Sequence, residues 1–245
     1  MGGGHEHGPK SVGDTMEKPT ITYIFTFPDG RQESFELHLD TDPDGALQEF
    51  SGEPPEWTHL GVCQCDNCPL DPAAHPYCPL ALKLVDPVTR FGEVLSYHEV
   101  EVKVITDERT IVQGTTAQSG ISAMMGLLNA TSGCPHTAYF RPMARFHLPF
   151  ASEDETVYRA ASMYLLGQYF RQHQGHAVGI DFDGLLDIYR NIETVNRAMA
   201  NRLRTASRED GTVNALVLLD MFAKTLPVAI EDSLEELRPL FGAYL

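Results

Sequence analysis

The sequence predicts an α+β protein in which a β-rich module with an inserted four-cysteine loop precedes a C-terminal helical bundle. Two observations lead to this fold class. Apolar residues alternate with polar ones in several segments of the first half, as in strands, whereas in the second half they recur at helical spacing. We therefore expect a flexible tail over residues 1–18, the β-rich module over 19–116 and the bundle over 117–245, with both modules packed as one unit.

The β-rich module is expected to contain two pairs of strands. The alternating run TITYIFTF, a Pro-Asp-Gly turn at 28–30 and a second alternating run ending near Leu39 are typical of a hairpin. A short helix is expected near 46–50, in an acidic connector. The alternating valines of EVEVKVI, followed by TIVQGTT, predict the second pair. The first half is therefore expected to be mostly β, interrupted by the cysteine loop.

The second half shows the signals of helices. Small residues from Gly120 to Asn129 predict one helix. Ser152 with Glu155 forms a capping box that begins a long helix, and Gly175 ends it. Further helices are predicted over 185–206, 213–225 and 230–241. Together these segments predict the helical bundle.

Charge and hydropathy exclude two classes of partner. The chain carries 34 acidic residues against 18 Lys and Arg, a formal net charge of −16. This charge repels phosphate backbones, so we expect no nucleic-acid partner. No stretch reaches the roughly 18 apolar residues of a membrane span, and the N-terminus has no apolar signal core. We therefore expect a cytoplasmic location, where cysteines stay reduced.

Four cysteines fall within one short loop, CQCDNCPLDPAAHPYC. They are Cys63, Cys65, Cys68 and Cys78. Thiolates at this spacing can surround a soft or borderline cation, and the prolines of the loop restrict its backbone before a metal binds. We expect a metal-binding protein with structural zinc at these four residues, in a regulatory or scaffolding role. His75 is a candidate substitute ligand or a residue that orients the ligands.

Other interpretations of the loop stay open. An iron-sulfur cluster on the same cysteines would make a redox or sensor protein, although their spacing matches neither ferredoxin pattern. Three Cys-Pro dipeptides resemble short haem-binding motifs. A disulfide between Cys63 and Cys65 would close a strained ring. The thiols could also be ordinary buried residues.

A second group of reactive residues lies in TSGCPHTAYFRPMARFHLPF, residues 131–150. It contains Cys134, His136, Arg141, Arg145 and His147. Cys134 beside His136 predicts a thiol with a lowered pKa, as in a thiol-dependent enzyme, and the two arginines could clamp a carboxylate or phosphate. Alternatively, Cys134 or His136 approaches the cysteine loop as an extra ligand or an orienting partner. Ordinary ion pairs and helix caps would also account for these residues.

The remaining features define no activity. His5 and His7 in the tail are candidate metal ligands without a nearby third ligand. The chain has no dinucleotide glycine fingerprint, phosphate loop, H-E-x-x-H or nucleophile elbow, so the sequence does not decide whether it is an enzyme. The helical faces are candidate surfaces for a protein partner or a homo-oligomer. The small-molecule ligand, if there is one, is not specified by any motif.

Four motifs carry a resemblance to a known family. CxCxxCPL, HPYCP, ATSGCPH and RPMARFHLPF resemble the motifs of a family of uncharacterised bacterial proteins of unknown function. The similarity runs from about Trp57 to the end of the chain. The resemblance implies no activity, and it assigns no catalytic residue.

Overall fold

The computed structural model describes residues 19–39, 52–206, 212–214 and 234–245. Several sequence predictions fall outside these ranges. They concern the tail with His5 and His7, the short helix near 46–50, all but the first two residues of the helix expected over 213–225, and the start of the helix expected over 230–241.

One antiparallel sheet contains the four predicted strands. These are β1 (Thr20–Thr26), β2 (Gln32–His38), β3 (Glu99–Ile105) and β4 (Thr110–Thr116), in the order β2-β1-β3-β4. Pairing of β1 with β3 joins the two hairpins and places Phe25 opposite Val102. Every second residue of β1 and of β3 is buried, because successive side chains point to opposite faces of a strand. The alternation seen in the sequence therefore predicted these strands correctly.

The rest of the described chain is mainly helical. The helices are α1 (Pro79–Phe91), α2 (Ala117–Ala130), α3 (Arg141–Arg145), α4 (Glu153–His173) and α5 (Asp183–Ala206), with short 3-10 turns at Glu56–Thr58, Ala138–Phe140 and Arg238–Phe241. Ser152 and Glu155 form the predicted capping box at the start of α4. Gly175, with a φ of 86°, follows the end of that helix. The α+β class, with the sheet first and the helices mainly after it, is confirmed.

Helix α1 is absent from the sequence-based prediction. Cys78 immediately precedes it, and Pro79 takes the first helical position, where a missing N–H costs nothing. Leu80 and Leu84 are buried one turn apart on its inner face. Pro87 lies inside the helix, where a proline removes a backbone hydrogen bond. The prolines of this region therefore indicated a loop in the sequence. The buried residues of α1 nonetheless recur at helical spacing.

Helix α2 lies directly against the sheet at Gly120. A Cβ atom at this position would lie 2.8 Å from Cε1 of Phe25 and 2.8 Å from Cγ2 of Val102, both of which belong to the buried core. Glycine is therefore the residue that permits this close approach of helix and strand. The same core takes in residues of α1 and α5, so the sheet and these helices share one apolar interior.

Replacement of Gly120 by alanine is expected to destabilise the fold by about 1–3 kcal/mol, the usual cost of an overpacked core site. Gly167→Ala is the matched control, because Gly167 lies in α4 with nothing within 4 Å of its added Cβ. That change should stabilise by up to about 1 kcal/mol through helix propensity. Denaturant unfolding of both variants checks the prediction, and equal effects would refute the close packing.

A smaller apolar cluster joins α4 to α5 through Val157, Ala160, Leu185, Tyr189 and Ile192. Several large apolar side chains on α4 nonetheless face solvent, among them Leu166 and Phe170. Within the ranges that the structure describes, no helix is both long enough and apolar enough to cross a membrane.

Candidate metal centre

The two ends of the cysteine loop are joined by backbone hydrogen bonds. The N–H of Leu60 donates to the carbonyl of Pro76 at 2.9 Å, and the N–H of Cys78 donates to the carbonyl of Thr58 at 2.8 Å. A β-bridge pairs the residues between them, at 59 and 77. The loop is therefore closed at its base, and its cysteines are held between fixed ends.

Cys65 and Cys68 lie in one tight turn within the loop. The N–H of Cys68 donates to the carbonyl of Cys65 at 3.0 Å. Both side chains are partly buried and pack against the main apolar core. The Asp-Asn pair between them supplies residues that favour such a turn. The turn therefore presents two thiols toward the interior.

Cys78 and Cys134 occupy two equivalent turns. Each cysteine is followed by proline, and the backbone N–H groups of the second and third residues after it act on the thiol. These are Leu80 and Ala81 for Cys78, and His136 and Thr137 for Cys134. Burial raises the pKa of both thiols, and the N–H groups lower it, although Cys78 forms no full capping hydrogen bond. Such N–H groups favour a thiolate over a thiol.

Three of the cysteine thiols have pKa values that neighbouring thiols raise. The pKa of Cys65 is raised to about 12, first by burial and then by the thiols of Cys78, Cys134 and Cys68. Cys68 also raises the pKa of Cys78, and Cys78 raises that of Cys134. Like charges have this effect only when they are near each other. Cys65, Cys68, Cys78 and Cys134 therefore form one group, called the thiol cluster below.

Cys63 stands apart from the thiol cluster. Its side chain is exposed, and it is not among the residues packed against the main core. Its backbone has a φ of 45°, in the left-handed region that residues other than glycine rarely adopt. The structure thus brings Cys134, from the 131–150 connection, to three of the four predicted ligands, and leaves the fourth in solvent.

The thiol cluster is not a closed metal cage as it stands. Among the described residues, no group of three or more His, Cys, Asp or Glu side chains is arranged to hold a metal ion. All five cysteines lie in described segments, and none of them forms a disulfide. The arrangement is therefore a set of neighbouring free thiols.

Contacts with the 131–150 connection and with α5 hold the loop in position. The ring of His136 donates from Nε2 to the carbonyl of Asn67 at 2.7 Å, which links the Cys134 turn to the loop. The side-chain amide of Asn67 in turn donates to Oδ1 of Asn191, on α5, at 2.9 Å. Asn67 thus connects three separate segments.

Arg202 is a buried cation beneath the cysteine loop. Its residue is 2% exposed, and its guanidinium donates to the carbonyls of Trp57 and His59 at 2.6 Å each, and to that of Leu60 at 3.3 Å. The same charge lowers the pKa values of Cys65 and Cys78, against the larger effect of burial. Arg202 therefore fixes the start of the loop and favours thiolates beside it.

His75, the other candidate ligand in the loop, takes part in a backbone turn. Its backbone N–H donates to the carbonyl of Asp71 at 2.8 Å. No hydrogen bond of its ring is found within the described part of the chain. Its predicted role as a ligand or orienting residue stays a prediction.

The predicted group over 131–150 is divided between two places. Cys134 and His136 face the cysteine loop, whereas Arg141 and Arg145 begin and end α3. Neither arginine forms an ion pair with another described residue. The guanidinium of Arg145 lies 5.5 Å from the ring centroid of Phe146, and its buried Nε has no hydrogen-bond partner in the described segments.

His147 points toward the sheet. Its Nε2 shares a hydrogen bond with the hydroxyl of Tyr23, a fully buried residue of β1. Burial lowers the pKa of His147 to about 4, with a further contribution from the positive charge of Arg159. His147 is therefore neutral at pH 7 and joins the 131–150 connection to the sheet.

The lowered pKa of His147 predicts a pH dependence of stability. Between pH 6.5 and 4 the unfolded chain binds a proton at this residue and the folded chain does not, so the free energy of unfolding falls as pH falls through this window. The loss should amount to roughly 3 kcal/mol over the whole window, of which roughly 2 kcal/mol is lost by pH 5. Denaturant unfolding at pH 7, 6 and 5, compared with His147→Gln, isolates this contribution. Identical pH dependence in both proteins would contradict the shift.

Sequence reasoning missed Arg202, Asn67 and Tyr23. Arg202 lies in a predicted helix among other charged residues, and nothing in its neighbours marks it as buried. Asn67 belongs to an Asp-Asn pair, and these residue types indicate only a turn. Besides the spacing of the loop, the sequence signal for the cluster was the repeated Cys-Pro dipeptide, which marks Cys68, Cys78 and Cys134.

The fold and this site define an α+β protein with a cluster of buried and partly buried thiols packed against its main core. The chain belongs to the family whose model is described as a domain of unknown function, DUF6901, which matches residues 21–242. The expected resemblance to an uncharacterised family is confirmed, and the match begins in β1 rather than near Trp57. Searches of curated proteins and of solved structures each found no match.

Proposed function

We propose that this chain is a metal-binding protein in which the thiol cluster holds one structural zinc ion. The observation that carries the proposal is the convergence of Cys65, Cys68, Cys78 and Cys134, from three separate turns, at the edge of one core. Four cysteine ligands around zinc make a closed, tetrahedral, structural site. In this proposal Cys134 takes the place that the sequence assigned to Cys63.

The surroundings of the thiols suit bound thiolates. Metal ligands must lose their protons, and a bound cation reverses the raised pKa values that burial and mutual repulsion produce. Four thiolates around a divalent cation leave two negative charges. Arg202 and the N–H groups that face Cys78 and Cys134 offset part of that charge.

Closing the site requires local adjustment of side chains, because the thiols do not form a cage as placed. Cys65 and Cys68 lie in a loop fixed at its base, and a cysteine needs only rotation about χ1 to redirect its thiol. The adjustment would fasten the loop to the Cys134 turn and to the start of α1. A structural and scaffolding role follows from that placement.

A thiol-dependent enzyme at Cys134 has less support. Nucleophilic cysteines need a lowered pKa, and burial raises the pKa of Cys134 above its ordinary value. His136, the expected activating base, donates its Nε2–H to the carbonyl of Asn67, which fixes its ring against the cysteine loop. The two residues are better accounted for as a ligand and a residue that positions the loop.

An iron-sulfur cluster on the same thiols is the alternative that one experiment separates from zinc. The full chain is purified without oxygen, and its metal content is measured by elemental mass spectrometry beside its visible spectrum. We expect one zinc per chain and no colour. Iron with visible absorbance would show that the thiols hold an iron-sulfur cluster rather than zinc. Absence of any bound metal would overturn the proposal.

Contact with a protein partner or a second copy through the helical part stays a prediction. The surface that would carry it is the exposed side of α4, where Tyr158, Leu166, Tyr169 and Phe170 are each at least half exposed. The expected cytoplasmic location also stays a prediction, and it suits a site that needs reduced thiols.

A further inference from the structure

A second feature of the helical part lies away from the thiol cluster. A cavity of about 460 Å³ opens between α2, the 131–150 connection, α4 and α5. None of the five cysteines is among its described lining residues. Small-molecule sites usually have volumes of about 300–1,000 Å³. Since one liquid water occupies about 30 Å³, this cavity has room for roughly 15 non-hydrogen atoms.

Most of the cavity wall is apolar. Leu127, Phe140, Met143 and Ile192 line it from four different elements. No acidic residue is among the described lining residues. The cavity therefore suits the apolar part of an organic molecule, and nothing in its described wall repels an anion.

Arg159 supplies a positive charge at this wall. Its Nη2 donates to the carbonyls of Met143 and Phe146 at 3.0 Å each, so the guanidinium is held in one position. No carboxylate of the described chain lies within ion-pair distance of it. Burial lowers the pKa of Arg159, whereas Tyr189 and Glu155 raise it. The Glu155 carboxylate accepts the N–H of Ser152 as part of the capping box. Among the described residues the charge of Arg159 therefore has no carboxylate partner, and a ligand can pair with it.

Asn129 and His147 are two of the neutral polar residues that line the cavity together with this charge. Asn129 is 8% exposed, and its buried Oδ1 has no hydrogen-bond partner in the described segments. An amide can present either its oxygen or its NH2 group by a flip of the side chain. His147 also lines the cavity, beside Arg159. A buried amide without a partner is costly unless a ligand satisfies it.

We propose that this cavity binds a small organic carboxylate, whose apolar part contacts the wall while its carboxylate pairs with Arg159 and accepts a hydrogen bond from Asn129. One guanidinium among neutral polar groups matches a single negative charge, and the apolar wall favours a ligand with an aliphatic or aromatic body. A phosphate dianion would bring two charges to one cation. The proposal is independent of the zinc proposal, since none of the four thiols of the cluster lines the cavity.

The first test uses the full chain and two probes of equal length, octanoate and 1-octanol, in isothermal titration calorimetry. We expect octanoate to bind at one site, at least tenfold more tightly than 1-octanol. Equal binding of the two probes would show that the carboxylate does not contribute to binding, and this would contradict the proposed pairing with Arg159. No binding of octanoate would overturn the proposal. Tighter binding of inorganic phosphate than of octanoate would overturn the ligand class.

Two arginine variants test whether Arg159 binds the carboxylate. Arg159→Gln should weaken octanoate binding at least tenfold and leave 1-octanol unchanged. Arg171→Gln is the matched control, because Arg171 is exposed on the same helix and does not line the cavity. Equal loss of octanoate binding in both variants would overturn the assignment. If Arg159→Gln does not fold, the comparison of the two probes on the natural chain still decides.

A third variant tests the cavity itself. Ala123→Phe places a ring into the lined space and should abolish binding of octanoate while the metal content stays unchanged. Unaltered octanoate binding in a folded Ala123→Phe protein would place the ligand elsewhere and overturn the proposal. Because metal content is measured in parallel, failure here is distinguishable from failure of the zinc site.

Discussion

Cys134→Ser is expected to remove the bound zinc as completely as Cys78→Ser does, whereas Cys63→Ser keeps one zinc per chain. Cys134 and Cys78 lie in equivalent turns of the thiol cluster, and Cys63 lies exposed outside it. Loss of a structural metal should lower the free energy of unfolding by roughly 3–5 kcal/mol. For a chain of this size that corresponds to a melting temperature lower by roughly 6–20 °C.

Elemental analysis and thermal unfolding of the three serine variants check this prediction. Serine keeps the size of cysteine but is a far poorer ligand for zinc, so each change removes one donor with little change in packing. Zinc loss in Cys63→Ser together with zinc retention in Cys134→Ser would show that the ligands are the four cysteines of the loop, as the sequence predicted. Unchanged melting temperatures in all three variants would contradict a structural role.

Arg202→Met is expected to destabilise the fold strongly and to loosen the cysteine loop. The change keeps an apolar stem but removes the donor to the carbonyls of Trp57 and Leu60, and it leaves the carbonyl of His59 with only the N–H of Val62. A buried group without a partner costs about 1–3 kcal/mol, so the total loss should reach roughly 3–5 kcal/mol. Loss of the positive charge should also weaken metal binding, since Arg202 favours the thiolates of Cys65 and Cys78.

Arg204→Met is the matched control for this prediction. Arg204 is exposed on the same helix, and within the described ranges its guanidinium donates to Oδ1 of Asn201 alone, at 2.7 Å. Its replacement should change stability by less than about 0.5 kcal/mol, as at most surface sites. Denaturant unfolding compares the two variants, and similar losses in both would show that the three carbonyl contacts add little.

The sheet and several helix boundaries were predictable because local signals specify them. Alternation in β1 and β3 follows from one buried face of a strand, and the capping box at Ser152 is a short-range pattern. Helix α1 was not predicted because prolines such as Pro79 and Pro87 are typical of loops. Its helical spacing of apolar residues is evident only from the buried face of the folded helix.

The candidate site was predictable only in part. Cys63 was predicted to be a ligand because it lies near the other cysteines along the chain. Its backbone is left-handed, and its side chain lies in solvent. Cys134 enters the cluster through tertiary packing of the 131–150 connection, which no spacing rule reports. Arg202 acts from α5 on carbonyls more than 140 residues earlier, so its role depends entirely on the fold.

X-ray absorption at the zinc edge tests the central claim most directly, because it counts the atoms bound to the metal. The natural chain should show four sulfur neighbours at about 2.3 Å. Any zinc that Cys134→Ser retains should show three sulfur neighbours and one lighter atom, whereas Cys63→Ser should keep all four. Fewer than four sulfur neighbours in the natural chain, or four in Cys134→Ser, would contradict the assignment of the thiol cluster as the metal centre.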